Sequence, residues 1–213
     1  MQDQASTFEH IANTLYQQGW CVLPNALPKD LCQALYERAT DLQSYTLAGV
    51  GRHQAQVIDN NIRSDKIHWI ESGQSTDDHW LTWMSALQQA LNRRLYLGLF
   101  SYESHYAHYA PGKFYQKHVD SFKGQANRIL STVCYLNPQW QSTDGGELIL
   151  YSSTEANEPE RQLAKVSPQQ GTLVIFLSEE FPHEVLPARA DRYSIAGWFR
   201  LNSSQHGHVY PPR

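Results

Sequence analysis

Apolar positions along the chain divide it into a helical first part and a strand-rich last half. Phe8, Ile11, Ala12 and Leu15 recur at helical spacing and share one helix face. Ser6 and Glu9 stand at capping-box spacing and predict the start of that helix, and Gly19 sits where a C-terminal cap belongs. The apolar run WCVL at 20–23, closed by Pro24, predicts a short strand. Leu31, Leu35 and Leu42 predict a second helix from about Pro28. Trp80, Met84, Leu87 and Leu91 predict a third, opened by the Ser-Thr-Asp-Asp cluster at 75–78.

From residue 101 the period changes. SYESHYAHY (101–109) alternates, PGKF (111–114) is a turn, and RILSTVCYL (128–136) is β-branched. Asp144-Gly145-Gly146 turns into ELILY (147–151), QLAKVSP ends at Pro168, and PQQG leads into TLVIFLS (172–178). RYSIAGWFRL (192–201) is the last strand. Short strands punctuated by Gly and Pro predict a sandwich or barrel, with the helices packed on a β core. Residues 155–161 form a charged loop, and 202–213 a polar, loosely held tail.

Composition narrows the function classes. With 213 residues and 41% hydrophobic content, the chain can bury a core without covalent staples. The net charge of −4 has both signs interspersed, with no basic run to follow a phosphate backbone, so nucleic acid is not an expected partner. Cys21, Cys32 and Cys134 are unclustered, which argues against a disulfide framework or a zinc ribbon. The N-terminal residues do not read as a secretory signal, and no window reaches the roughly 18 apolar residues of a membrane helix. These features predict a cytoplasmic protein with no membrane partner.

The candidate chemistry begins at FYQKHVDSF (114–122), which holds His118 and Asp120. Ten His and ten Asp in 213 residues make about 0.5 such His-x-Asp pairs expected by chance, so the pair alone is weak. On a strand, residues i and i+2 point to one face, so both side chains can enter one cavity. His183, in EEFPHEV between two strand-like runs, is the best third ligand. Two His and one carboxylate leave other metal positions open, the arrangement of non-haem Fe(II) oxygen chemistry. Arg192, at the start of the last strand, offers a planar two-point partner for a carboxylate. His105 and His108 are read as surface residues or neighbours of the site, and Cys134 as packing. By residue type alone, Arg63 and Asp65 are solvated loop charges.

Longer stretches are more specific. FPHEVLPARADRYSIAGWF resembles the terminal signature of 2-oxoglutarate and Fe(II)-dependent prolyl hydroxylases, in the branch of the hypoxia-inducible-factor prolyl hydroxylases and their bacterial relatives. HYAPGKFYQKHVDSF resembles the first ligand motif of that branch, and ILSTVCYLNPQW with DGGELILY the strands between. NIRSDKIHWIE (61–71) resembles a segment beside its substrate-facing lid, here 52–66. Arg192 stands where collagen-type hydroxylases usually carry Lys.

The resemblance implies an α+β, mainly β fold: a double-stranded β-helix, or jelly-roll, with flanking N-terminal helices. It implies a single oxygenase domain over 1–213, with a helical flank at about 1–95, a core at about 96–201 and a tail at 202–213. It implies that His118, Asp120 and His183 bind Fe(II), and that Arg192 and Tyr135 hold the distal carboxylate of 2-oxoglutarate. Tyr109 matches a tyrosine of the cosubstrate pocket, although this chain reads Tyr-Ala-Pro-Gly where the animal enzymes place Tyr directly before Pro. Val133 and Leu148 would be apolar walls, Trp198 would pack beside the metal, and Arg63 and Asp65 match lid residues implicated in peptide binding. The implied reaction is 4-hydroxylation of a prolyl residue in a protein, using O2, releasing succinate and CO2, with ascorbate as reductant and no catalytic residue beyond the metal centre. Elongation factor Tu is the partner the bacterial relatives suggest. Two alternatives stand beside it: the same chemistry on a free amino acid or small molecule, and a cupin-like metal or ligand binder without catalysis.

Overall fold

Helix α1 (Gln4–Gln18) buries Phe8, Ile11, Ala12 and Leu15, the face marked by their spacing. It starts earlier than the Ser6 and Glu9 pair predicts. Asp3 is the N-cap, no side chain caps it, and Ser6 Oγ instead donates to the Asp3 carbonyl at 2.8 Å from within the first turn. Gly19 closes the helix in the left-handed region, its N–H donating to Leu15 O, as the sequence requires. The structure, a computed structural model, describes residues 3–49, 62–121, 127–152 and 159–202. Most of the expected 52–66 lid, part of the charged loop, Phe122 and the tail from 203 lie outside the described residues.

After β1 (Trp20–Leu23) come α2 (Lys29–Asp41), β2 (Thr46–Leu47), β3 (Lys66–Trp69) and α3 (Ser75–Leu95). Strands β4 (Ser101–Tyr109), β5 (Tyr115–His118), β6 (Arg128–Tyr135), β7 (Leu148–Tyr151), β8 (Gln162–Val166), β9 (Leu173–Leu177), β10 (His183–Val185) and β11 (Arg192–Arg200) follow, with a short 3-10 turn at Ser142–Asp144 between β6 and β7. The strands build two antiparallel sheets. The larger has the order β1-β9-β6-β11-β4-β3-β2 and the smaller β5-β10-β7-β8. Two details depart from the sequence reading. The lid-like segment supplies β3, a strand of the large sheet paired to β4, and His183 lies on a short strand rather than between strands.

Period 2 sorts side chains between the two faces of the large sheet. Cys134, Leu173, Ile175, Ile195 and Phe199 pack with the helical residues Ile11, Leu35, Trp80 and Leu87. Their neighbours Tyr135, Val174 and Phe176 point the other way and meet Leu148 and Leu150 of the small sheet. Strand β9 is therefore apolar at every position because both of its faces are covered. Each such side chain contributes about 1.5–3 kcal/mol relative to exposure, so both the sandwich interior and its helical cover stabilise the fold. The gap between the sheets is the place left for chemistry. This is the double-stranded β-helix expected, mainly β with three α-helices among the described residues.

Candidate metal centre and its pocket

Strands β5 and β10 pair so that His183 stands directly opposite His118, with ring centroids 4.3 Å apart. Each ring is oriented by its own chain. His118 Nδ1 lies 2.8 Å from Gln116 O and His183 Nδ1 lies 3.1 Å from Phe181 O. A carbonyl accepts only, so both Nδ1 atoms carry a proton, and in the neutral form of each ring the lone pair stands on Nε2. His118 Nε2 is 3.5 Å from Asp120 Oδ1 and His183 Nε2 is 3.8 Å from Asp120 Oδ2. One ligand atom from each of the three residues lies within 4.8 Å of the others.

Asp120 reaches this point by a route that strand alternation does not describe. β5 ends at His118, and Asp120 stands in the bend beyond it. Its Oδ2 accepts from Ser131 Oγ at 2.6 Å and from Trp198 Nε1 at 2.9 Å. Burial pushes its carboxyl up, but the two histidines and the Ser131 hydroxyl outweigh burial and hold it well below the usual carboxylate range. Burial, with the His118 charge adding to it, lowers His183 to about 4, so its imidazole is neutral near pH 7. A carboxylate and a neutral imidazole are the ligating forms.

On the large sheet stands a buried cation, connected to the triad through Phe176, whose ring lies 4.7 Å from that of His183 and which packs in one cluster with Tyr135. Arg192 is 1% exposed. Its Nε donates to Gly146 O at 2.9 Å and its Nη1 to Ser194 Oγ at 3.3 Å. Its Cζ lies 4.9 Å from the ring centroid of Tyr109, its cross-strand partner, and 5.0 Å from that of Tyr135. Arg192 Nη2 and Tyr135 Oη are both buried with no hydrogen-bond partner. Burial pushes the Tyr135 phenol up to about 12 against the opposing Arg192 charge, so it remains a donor. Leu148 is buried against Tyr135, and half-buried Val133 packs on the same cluster. Two unmet donors in an apolar enclosure are what a carboxylate would satisfy.

The remaining sequence candidates are also placed. Arg63 and Asp65 are not solvated loop charges. Arg63 Nε and Nη2 donate to the two oxygens of wholly buried Asp65 at 2.7 and 3.0 Å. Burial keeps this arginine from solvent while Asp65 stabilises its charge, and its Cζ lies 4.8 Å from the Tyr115 ring centroid. His105 is not a surface residue: it is 1% exposed, its ring lies 5.5 Å from that of Trp198, and its Nε2 is 3.4 Å from Arg63 Nη2. His108 is half-buried and joined to Asp191 at 2.7 Å. Sequence reasoning overlooked Ser131 and Arg128. The available signal was strand parity, which puts Ser131 on the face of Val133 and Tyr135.

Comparisons with known proteins agree with this geometry. The family model of the 2OG-Fe(II) oxygenase superfamily matches residues 104–200. A crystal structure of a Pseudomonas putida prolyl-4-hydroxylase is 39% identical, with a TM-score of 0.78, covering 91% of this chain and 98% of that one. A Trichoplax adhaerens prolyl hydroxylase, in complex with a hypoxia inducible factor oxygen degradation domain peptide fragment, is 27% identical with a TM-score of 0.81, covering 95% of this chain and 94% of that one. The hypoxia-inducible factor prolyl hydroxylase of Caenorhabditis elegans is 28% identical over 92% of this chain, which spans only 28% of that protein's length. The chain belongs to the 2OG-Fe(II) oxygenase superfamily. Its place within it is the prolyl hydroxylase branch that includes the hypoxia-inducible-factor enzymes and the Pseudomonas protein. The family needs Fe(II), 2-oxoglutarate and O2, and the His-Asp-His triad fits iron.

Proposed function

We propose that this chain is a protein prolyl 4-hydroxylase acting as a single oxygenase domain. The observation that carries the reading is a pairing across the two sheets. The triad has His118 and His183 on the small sheet and Asp120 beside them, and the unmet donors of Arg192 and Tyr135 stand on the large one. Phe176 links them: it packs with Tyr135 and lies 4.7 Å from the His183 ring. The prolyl specificity is supported by likeness to the Pseudomonas putida prolyl-4-hydroxylase over nearly its whole length. A protein substrate is supported by the Trichoplax likeness, whose structure holds a peptide fragment.

The triad would hold Fe(II) through the two Nε2 atoms and Asp120. Arg192 and Tyr135 would receive the distal carboxylate of 2-oxoglutarate, with Tyr109, Val133 and Leu148 walling the chain between. Bound there, Fe(II) and 2-oxoglutarate supply the oxidative chemistry: one atom of O2 ends in succinate with loss of CO2, the other on the prolyl carbon. Trp198, on the large sheet, would pack beside the metal, with its Nε1 donating to Asp120. Arg63 and Asp65 belong to the substrate side, and since Asp65 is wholly buried, it acts on a peptide by fixing Arg63. Fixed side chains and exclusion of water are the chain's contribution to rate.

A cytoplasmic location is supported by three free, buried cysteines. Among the described residues no helix is long and apolar enough to cross a membrane.

The test is succinate formation from 2-oxoglutarate with Fe(II), O2, ascorbate and a protein substrate, followed by mass spectrometry for a one-oxygen gain on proline. Elongation factor Tu is the first substrate to try, and a whole cytosolic extract the second. Substrate-stimulated succinate with oxidised proline is expected. Succinate without oxidised proline would move the chemistry to a free amino acid or small molecule. No succinate from iron-loaded protein would leave a binding module.

A further inference from the structure

Asp120 is the member of the triad with the least backbone support, since it lies in a bend while both histidines lie on paired strands. We infer that Ser131, Ser178 and Trp198 are positioning residues that lock the Asp120 carboxylate so that it meets the metal through one oxygen only. The inference rests on the metal reading of the triad given above.

The donors come from the large sheet, not from Asp120's own segment. Ser131 and Trp198 are direct cross-strand partners on β6 and β11. The ladder therefore sets the spacing of the two groups that reach Oδ2, at 2.6 and 2.9 Å. A serine hydroxyl has one proton. With that of Ser131 committed to Asp120, its 2.9 Å contact with Ser178 Oγ makes Ser178 the donor. Ser178 is wholly buried, so no water competes for this chain of hydroxyls. Trp198 is steadied in turn. The Arg128 guanidinium lies 3.7 Å from its ring centroid. Arg128 donates twice to Glu103 Oε1, at 3.1 and 2.8 Å, and Arg200 Nη1 donates to Glu103 Oε2 at 2.7 Å.

The consequence is an asymmetric carboxylate. Oδ2 is occupied by two fixed donors, while Oδ1, 3.5 Å from His118 Nε2, keeps its lone pairs for a metal. Without the donors the carboxylate can turn and offer both oxygens. That would fill one more metal position, which this chemistry needs open.

The experiment uses Co(II) as the probe, titrated into the full chain and read by its visible absorption and by calorimetry. Trp198→Phe keeps an aromatic ring under Arg128 and removes the indole N–H together with part of the ring. Ser131→Ala and Ser178→Ala remove the hydroxyls. Loss of a hydrogen bond that supports a metal ligand costs about 10–100-fold in affinity. Trp198→Phe and Ser131→Ala should each weaken Co(II) by about tenfold and change the shape of the absorption band, with a smaller effect from Ser178→Ala, one bond further away. A change in band shape is not produced by a general loss of stability, and if Ser131→Ala fails to fold, Trp198→Phe carries the test. Unchanged affinity and band in the folded variants, with Co(II) bound by the wild type, would overturn the inference alone. A wild type that binds no Co(II) would overturn the metal reading itself.

Discussion

His183 and His118 are direct partners across the antiparallel pair of β10 and β5, and the pairing slips immediately beyond them, between His183 and Val185. Side-chain direction in a strand has period 2, so a shift of one residue would turn one imidazole out of the site. β10 is also held on its other edge by β7, where His183 faces Leu150. The metal-binding geometry is thus a property of sheet register.

Loss of either imidazole should accordingly abolish metal binding and turnover together. His118→Ala and His183→Ala are expected to weaken Fe(II) or Co(II) by more than the roughly 10–100-fold that follows from losing a ligand's supporting hydrogen bond. Calorimetric titration of the metal checks this. Retained tight binding in either variant would remove that residue from the triad.

Arg192 should matter to 2-oxoglutarate and little to the metal. Arg192→Met keeps the aliphatic bulk but removes every donor. A hydrogen bond to a charged group is worth about 1.5–3 kcal/mol, so 2-oxoglutarate should bind about 10- to 100-fold more weakly. Metal affinity in the absence of 2-oxoglutarate should change less than twofold, about 0.4 kcal/mol. Equal weakening of both ligands would show that Arg192 only supports the fold.

Gly197 is expected to tolerate no side chain. It lies mid-strand in β11, and a Cβ there would stand 2.8 Å from Glu103 O and meet the Tyr102 hydroxyl. That hydroxyl is held 2.9 Å from Thr132 Oγ1 and cannot withdraw freely. Gly197→Ala should destabilise by about 1–3 kcal/mol, the usual range for overpacking. Thermal unfolding would show it as a fall of about 2–4 °C per kcal/mol. An unchanged midpoint would mean that β4 can shift away from β11.

Acid should destabilise the chain partly through His105. Burial, with Arg63 and Arg128 nearby, holds its imidazole well below the ordinary value of 6.5. The folded state therefore refuses a proton that the unfolded state accepts once the pH falls below about 6.5. Stability is complete above that pH and declines as the pH drops, by up to about 1.4 kcal/mol per pH unit for one proton. His105→Met should flatten the slope between pH 6.5 and 5 in denaturant titrations. An identical slope would place the acid sensitivity elsewhere.

Local pattern determined much of this protein. Spacing at 3.6 and 2 residues marked the buried faces of α1 and α3 and the long strands β4, β6, β9 and β11, because each period reflects which face meets the core. Glycine read correctly as a helix stop at Gly19, because only the left-handed conformation fits there. The letters around His118, His183 and Arg192 were specific enough to nominate a pocket. The start of α1 was misread because a serine within the first turn can bond backwards to the Asp3 carbonyl as readily as it can cap. Tertiary structure decided the rest. Trp198 reaches Asp120 across 78 residues and Arg63 lies beside His105 across 42, distances over which no local spacing carries information. Arg63 and Asp65 look like solvated charges in sequence and are a buried pair in the fold, because β3 joins the large sheet and carries them under cover. Residue types can nominate ligands and donors. Only the register of packed sheets decides which of them share a face and which buried polar atoms are left waiting for a partner.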